Sequence, residues 1–318
     1  MEMQARKISF EEAWDSSVIF FVDEALEAEI DSAVDALLRV ARDPRVSDGS
    51  IPEATTIADF LTEHDLALDV ILKDIELSEE KFMRIISLLR KIGRIPGGFS
   101  AKDTEWSISK IKRKITSEPE FSRMIAELLV KGKNDPGFKN YIPRYYLETL
   151  NYREIRGSSL TAQRIRYKSS LIGTYGGRKG HKVEGLIGQK LAEIQLKHGV
   201  PHAKGRSRII DIDIDYAVPS LEDPWVIIMS SFQETTSSGQ TTKVRDMLSA
   251  YVRILENNSR NRENRAFVNF VDGGGWLARK RDLQRRVDQC HYFINLHYLD
   301  MLEGIILDHV PRRYFHPR

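Results

Sequence analysis

An alternation of isoleucine with aspartate, running Arg208-Ile-Ile-Asp-Ile-Asp-Ile-Asp-Tyr-Ala-Val218, restricts what this chain can fold into more than any other stretch. Successive side chains of a strand point to opposite faces, so a period of two suits an extended strand and would be scattered around a helix. The spacing predicts a strand with Asp211, Asp213 and Asp215 on one face and Ile210, Ile212 and Ile214 on the other. A second run, Trp225-Val-Ile-Ile-Met-Ser-Ser-Phe-Gln233, is equally rich in β-branched and aromatic residues. Pro219, Asp223 and Pro224 punctuate the connection, so the two runs read as one hairpin. On the second strand Met229, Ser231 and Gln233 share a face by the same parity.

Three carboxylates in a row are unfavourable on a strand suited to a core, because like charges repel and each loses water on burial. A positive partner is expected, and Mg²⁺ is the economical one: it takes hard oxygen ligands from one or two carboxylates and keeps the rest of its shell as water. The alternative is a solvated edge strand with three exposed aspartates.

The 318 residues, 41% hydrophobic and 30% charged, suit one large or two modest domains. No run approaches the ~18 consecutive apolar residues of a membrane span, and the first residues lead into no signal-peptide segment, so a cytoplasmic protein without a membrane partner is expected. Cys290 is the only cysteine, which excludes intrachain disulfides and thiolate zinc clusters; beside His291 it reads as a small core residue. The net charge of +2 conceals an asymmetry. Residues 1–150 carry 21 Lys and Arg against 28 Asp and Glu, and residues 151–318 carry 27 against 18, so the C-terminal half is the one expected to attract a polyanion.

Residues 1–150 read as an all-helical domain. Helical spacing runs from Phe10 to Arg42 and stops at Asp43-Pro44, and a second run follows Ile57. Ser78 then caps a helix with the apolar stripe Phe82, Ile85, Ile86, Leu89 and Ile92, ending at Gly93. The basic segment Lys110, Lys112, Arg113 and Lys114 reads as a solvated face.

Residues 151–318 read as an α/β domain. Between Arg156 and Val183 no acidic residue occurs, while Arg156, Arg164, Arg166, Lys168, Arg178, Lys179 and Lys182 gather among Gly, Ser, Thr and Tyr. Small residues let backbone N–H groups approach an anion and long cations reach over it, which is phosphate-contact chemistry. Glu184 then opens a helix. Beyond the hairpin, Thr235 to Thr242 is a polar loop whose Ser237, Ser238 and Gln240 suit hydrogen bonds to phosphates or base edges, and it enters a helix bearing Lys243. A buried strand at Ala266–Val271, a basic helix from Arg279 to Arg286, a strand at His291–Leu296 and a closing helix complete an order that gives a mixed sheet.

Three places in this half resemble type II restriction endonucleases of the PD-(D/E)XK superfamily, in particular the group that includes the GATC-cutting enzymes. Tyr175-Gly-Gly-Arg-Lys-Gly-His-Lys-Val-Glu184 is similar to their basic segment leading to a helical glutamate. Asp215-Tyr-Ala-Val followed by Val226-Ile-Ile-Met-Ser-Ser-Phe is similar to their metal-binding strand and second catalytic strand, and Phe270-Val-Asp-Gly-Gly-Gly-Trp276 to their strand, glycine turn and helix. The resemblance covers about residues 155–308. It implies a PD-(D/E)XK-type mixed sheet flanked by helices, preceded by the all-α N-terminal domain of residues 1–150 as a recognition or oligomerisation addition.

The sequence departs from that pattern where the pattern matters most. The family places a carboxylate where Met229 stands and usually lysine where Ser231 stands. Three explanations are open: a frame shifted so that Gln233 fills the lysine position; a carboxylate from elsewhere, with Glu184, Glu234 and Asp246 as candidates; or Met229 in place of an ancestral glutamate. The resemblance implies Mg²⁺-dependent hydrolysis of double-stranded DNA, with Asp215, Asp213 and Glu184 holding metal and Lys243 or Gln233 orienting water or neutralising phosphate. It further implies a homodimer at a palindromic site and a cognate DNA methyltransferase as functional partner.

Overall fold

The computed structural model describes residues 4–47, 52–138, 140–155, 159–235 and 239–316. They form two units: Asp23–Thr174, which is helical, and Met1–Val22 with Tyr175–Arg318, which contains the sheet. The division falls at 22/23 and 174/175, whereas the sequence reading puts it at 150/151. Among the described residues no helix is long and apolar enough to cross a membrane.

Local capping sets the helices of the first unit. Asp23 accepts from the Leu26 amide at 2.7 Å and starts Glu24–Ala41, while Ser78 and Ser107 cap Glu79–Lys91 and Ile108–Ser117. Gly93, at φ +74°, supplies the left-handed residue after the second of these. The stripe Phe82, Ile85, Ile86 and Leu89 is buried with Phe60, Phe121, Ile125 and Leu129, as its spacing predicts. Lys112 pairs with Asp69 and Lys114 with Glu118, each at 2.5 Å, while Lys110 and Arg113 are exposed, as a solvated face requires.

Asp74 is the energetic exception here. It is buried, accepts from the Tyr167 hydroxyl at 2.9 Å, and its pKa is pushed up to about 6 by loss of water. A carboxyl whose folded pKa lies above its unfolded value of ~3.9 stabilises the fold in acid and loses that contribution as pH rises through about 6. Asp74→Asn keeps an oxygen acceptor for Tyr167 without the charge. It is expected to raise the stability of the helical unit by roughly 2–3 kcal/mol at pH 8 and by almost nothing below pH ~4. Thermal unfolding of both proteins at the two pH values checks this; an equal difference at both would refute it.

The second unit is built on a five-stranded sheet in the order β1 (Ala203–Ser207), β2 (Ile212–Val218), β3 (Val226–Phe232), β4 (Ala266–Asp272), β5 (Tyr292–Ile294). The first two pairings are antiparallel and the last two parallel, so the mixed sheet expected from the element order is present. The β2–β3 hairpin is confirmed. β1 is an addition, and the turn that joins it to β2 takes Asp211 off the strand, at φ +50°. β4 is buried along its whole length.

A single helix, Leu160–His198, takes in the segment read as a phosphate-contact stretch, and Glu184 lies inside it rather than at its start. Its backbone N–H groups therefore serve the helix. Glycine within a helix costs about 1 kcal/mol relative to alanine, but Val183, Ile187, Leu191 and Ile194 repeat at helical spacing and bury one face against the sheet unit's core. Gly188 has a reason of its own: a Cβ there would lie 2.5 Å from the Tyr216 hydroxyl, which donates to the Glu184 carbonyl at 2.9 Å.

The helical run read from Phe10 to Arg42 is two helices in different units. Ser9 and Glu12 form a capping box for Phe10–Asp15, and the following residues lie along the C-terminal ends of β3 and β4. Val18 N donates to Asp272 at 2.7 Å, Gly274 N to the Ile19 carbonyl at 3.0 Å, and Phe21 N to Glu234 at 2.9 Å. These contacts span more than two hundred residues of sequence, which no local periodicity encodes.

Candidate active site

The last paired residues at one end of the β2–β3 ladder are Tyr216 and Ile228. Beyond them the two strands part: the start of β2 stays paired with β1 on its other edge, Ile212 with Ser207, Asp213 with Arg206 and Ile214 with Gly205, but has no paired residue on β3. β3 continues past this fork, so the N–H and C=O of Ser230 have no strand partner on that side. Side chains replace the missing ladder. The Asp215 Oδ2 accepts from Ser230 N at 2.6 Å, and the Lys243 Nζ donates to the Ser230 carbonyl at 3.4 Å. The same ammonium stands 3.9 Å from Asp215 Oδ2. Among the described residues no hydrogen bond or ion pair reaches Asp215 Oδ1.

Lys243 comes from the early turns of the helix Gly239–Asn261. That helix is fixed from behind by Arg286, which is fully buried and donates to the Val244 carbonyl at 2.9 Å and to Gln289 at 2.8 Å. Arg286 thus belongs to the interior, although the sequence presents it within a basic helix. Burial lowers its pKa, and without a carboxylate in hydrogen-bond contact its charge rests on backbone and amide oxygens.

By strand parity Met229 and Ser231 share the Asp215 face, and extending the register sets Met229 opposite Asp215. Met229 is 3% exposed and packs in the hydrophobic core with Ile228 and Val271. Ser231 is 4% exposed and its hydroxyl has no hydrogen-bond partner. Gln233 lies just past β3, with its N–H on the Asp272 carbonyl and its own carbonyl accepting from Gly275 N.

The other carboxylates expected at a metal are held elsewhere. The side chain of Asp213 is 80% exposed and faces Arg206 at 3.7 Å. Glu184 receives Lys204 at 2.6 Å. Glu234 receives Lys179 at 2.9 Å and the Phe21 amide, and Asp246 lies 3.8 Å from Arg245. Among the described residues no three His, Cys, Asp or Glu side chains are grouped around a possible metal. The fork therefore offers one carboxylate with a free oxygen and one backbone carbonyl, both hard donors. That set fits a Mg²⁺ held by one carboxylate and completed by water and phosphate oxygens, and Met229 adds no ligand to it.

No family model, no curated protein and no solved structure matches this chain. The site must therefore be read from its own geometry.

The cations expected on phosphate separate into two sets. Arg164 pairs with Asp31 and Asp35, Lys168 with Asp31, and Arg166 with Asp74 and Glu76, all within the helical unit. In the sheet unit Arg178 is exposed and stacks over Tyr175 at 4.6 Å, Lys182 belongs to the same helix, and Lys179 is bound to Glu234. Ser237, Ser238 and Arg156, and the side chain of Gln240, lie outside the described residues. Counted by unit, the sheet unit carries 24 Lys and Arg against 21 Asp and Glu and the helical unit 24 against 25, so the asymmetry between sequence halves largely vanishes. Residues 151–174, with five Lys and Arg, belong to the helical unit.

Cys290 has no part in this site. It is buried, its thiol is pushed up to about 12 by burial, and its Sγ donates to the Arg286 carbonyl at 3.2 Å. The residues that sequence reasoning missed are Ser230, which acts through its backbone, and Asp272, which accepts the amides of Val18, Gly273 and Leu296 and has its pKa raised by burial. Ser230 carries no local sequence signal; the signal for Asp272 is the glycine run that follows it, Asp272-Gly-Gly-Gly-Trp276.

Proposed function

We propose that this chain is a site-specific double-stranded DNA endonuclease of the type II restriction kind. The observation that carries the reading is the fork, where a carboxylate with a free oxygen, a backbone carbonyl and a lysine ammonium meet at the end of a β-ladder. A bound Mg²⁺ would supply a water of lowered pKa and charge stabilisation at the scissile phosphate. Asp215, through its free oxygen, and the Ser230 carbonyl would hold the ion, and Lys243 would be the cation that meets the phosphate. Exposed Arg178 and Arg245 are positioned in sequence on the two helices that flank this strand pair and serve the DNA backbone. Cutting both strands calls for a homodimer, and protection of the host site for a cognate methyltransferase.

The test is digestion of unmethylated plasmid with Mg²⁺, running the protein beside its Met229→Glu variant. Discrete fragments from the unaltered protein are expected. A second reading, a nuclease-fold protein that binds DNA without cutting, is favoured by one observation: Met229 fills with core packing the position facing Asp215. Fragments from the Glu variant alone would support that second reading, and a duplex shifted in a gel but cut by neither protein would remove the nuclease reading altogether.

A further inference from the structure

The Lys243 ammonium already lies beside both oxygen groups of the fork. It is 3.4 Å from the Ser230 carbonyl and 3.9 Å from Asp215 Oδ2, the carboxylate oxygen that accepts from Ser230 N. Charge-assisted hydrogen bonds from an ammonium are normally about 2.7–2.9 Å, so Lys243 is loosely held at both. Its side chain is 43% exposed, which leaves it a path outward. A Mg²⁺ ion on the Ser230 carbonyl and the free Asp215 Oδ1 would sit about 2.0–2.1 Å from that carbonyl oxygen, and so within about 5.5 Å of the ammonium 3.4 Å from the same oxygen, where like charges repel.

We propose that Lys243 is the built-in counter-cation of the fork, and that a divalent ion binds Asp215 and Ser230 by displacing it. In the metal-free protein the ammonium neutralises Asp215 and satisfies the Ser230 carbonyl, so the strands can part without leaving a bare carboxylate. Metal entry swings it outward, to where a phosphate would be its next partner. The inference rests on the reading of Asp215 as a metal carboxylate, and it adds a competition which that reading does not require.

The test uses Mn²⁺ alone, without DNA, with free ion measured by electron paramagnetic resonance on the full chain, its Lys243→Met variant and its Asp215→Asn variant. Methionine keeps the length of the lysine stem and removes the charge. The expected result is Mn²⁺ binding by the unaltered protein, at least tenfold tighter binding by Lys243→Met, and loss of this site in Asp215→Asn. Equal or weaker binding by Lys243→Met, with Asp215→Asn still defective, would overturn the competition and leave the metal assignment standing. Binding that is unchanged in Asp215→Asn, or absent from all three proteins, would overturn both.

Discussion

Asp215→Asn is expected to abolish DNA cleavage, by roughly a thousandfold or more, the scale on which losing one group that stabilises transition-state charge is felt. The substitution isolates charge from structure. Asn keeps an oxygen to accept from Ser230 N, the 2.6 Å bond that closes the end of the ladder, so the fork should hold. The lost attraction to Lys243 acts over 3.9 Å at a partly exposed position and is worth about 1 kcal/mol or less. Asp213→Asn is the control: the residue shares the strand face, but its side chain is 80% exposed and among the described residues pairs with Arg206 alone, so activity should stay within about twofold. Plasmid digestion rates and denaturant unfolding on the same preparations check both halves. An Asp215→Asn protein that cuts normally would remove Asp215 from the chemistry, and one that unfolds would make it structural.

Gly273→Ala is expected to destabilise the sheet unit by more than about 4 kcal/mol, a large share of the ~5–15 kcal/mol that holds a typical domain together. Gly273 follows β4 at φ +106°, where an L side chain is strained. A Cβ there would stand 2.2 Å from the Gln233 carbonyl oxygen and 2.8 Å from Gln233 N. Those atoms are backbone and already committed: Gln233 N donates to the Asp272 carbonyl at 3.0 Å and its carbonyl accepts from Gly275 N at 2.8 Å. Relief requires the end of β3 to move away from β4, which would disturb Glu234 and the Phe21 amide it holds. Gly177→Ala offers the contrast, since Gly177 is helical, exposed and has nothing within 4 Å of a would-be Cβ. Alanine there should stabilise by about 0.5–1 kcal/mol. Chemical denaturation separates the cases, and a Gly273→Ala protein within about 1 kcal/mol of its parent would show that the glycine turn is not the constraint it looks to be.

Much of the architecture is legible in the sequence because it is set by local periodicity. The Ile and Asp alternation makes β2, the Trp225 to Phe232 run makes β3, and the stripe from Phe82 to Leu89 buries one face of its helix. The mixed sheet follows from the order of such elements. Asp211 escapes the pattern because the β1–β2 turn ends on it, and the Gly-rich segment before Glu184 escapes because the burial of Val183, Ile187 and Leu191 outweighs the helix propensity lost at its glycines.

The site was legible only in part, since Asp215 and Lys243 stand 28 positions apart and meet only once the helix Gly239–Asn261 packs beside the sheet. The sequence by itself determined most of the strands and helices, that Asp215 and Met229 occupy matching positions of a hairpin, and that a single cysteine leaves no intrachain disulfide to form. Only the tertiary structure decided that β2 and β3 pair from the Tyr216–Ile228 pair to Val218 and are apart before Tyr216, leaving Ser230 to be satisfied by side chains, and that Arg164, Arg166 and Lys168 are held by carboxylates of their own unit. The physical reason is one of range. Backbone periodicity is fixed by neighbours a few residues away, whereas a charge is neutralised by whatever the folded chain brings within about 4 Å, however distant in sequence.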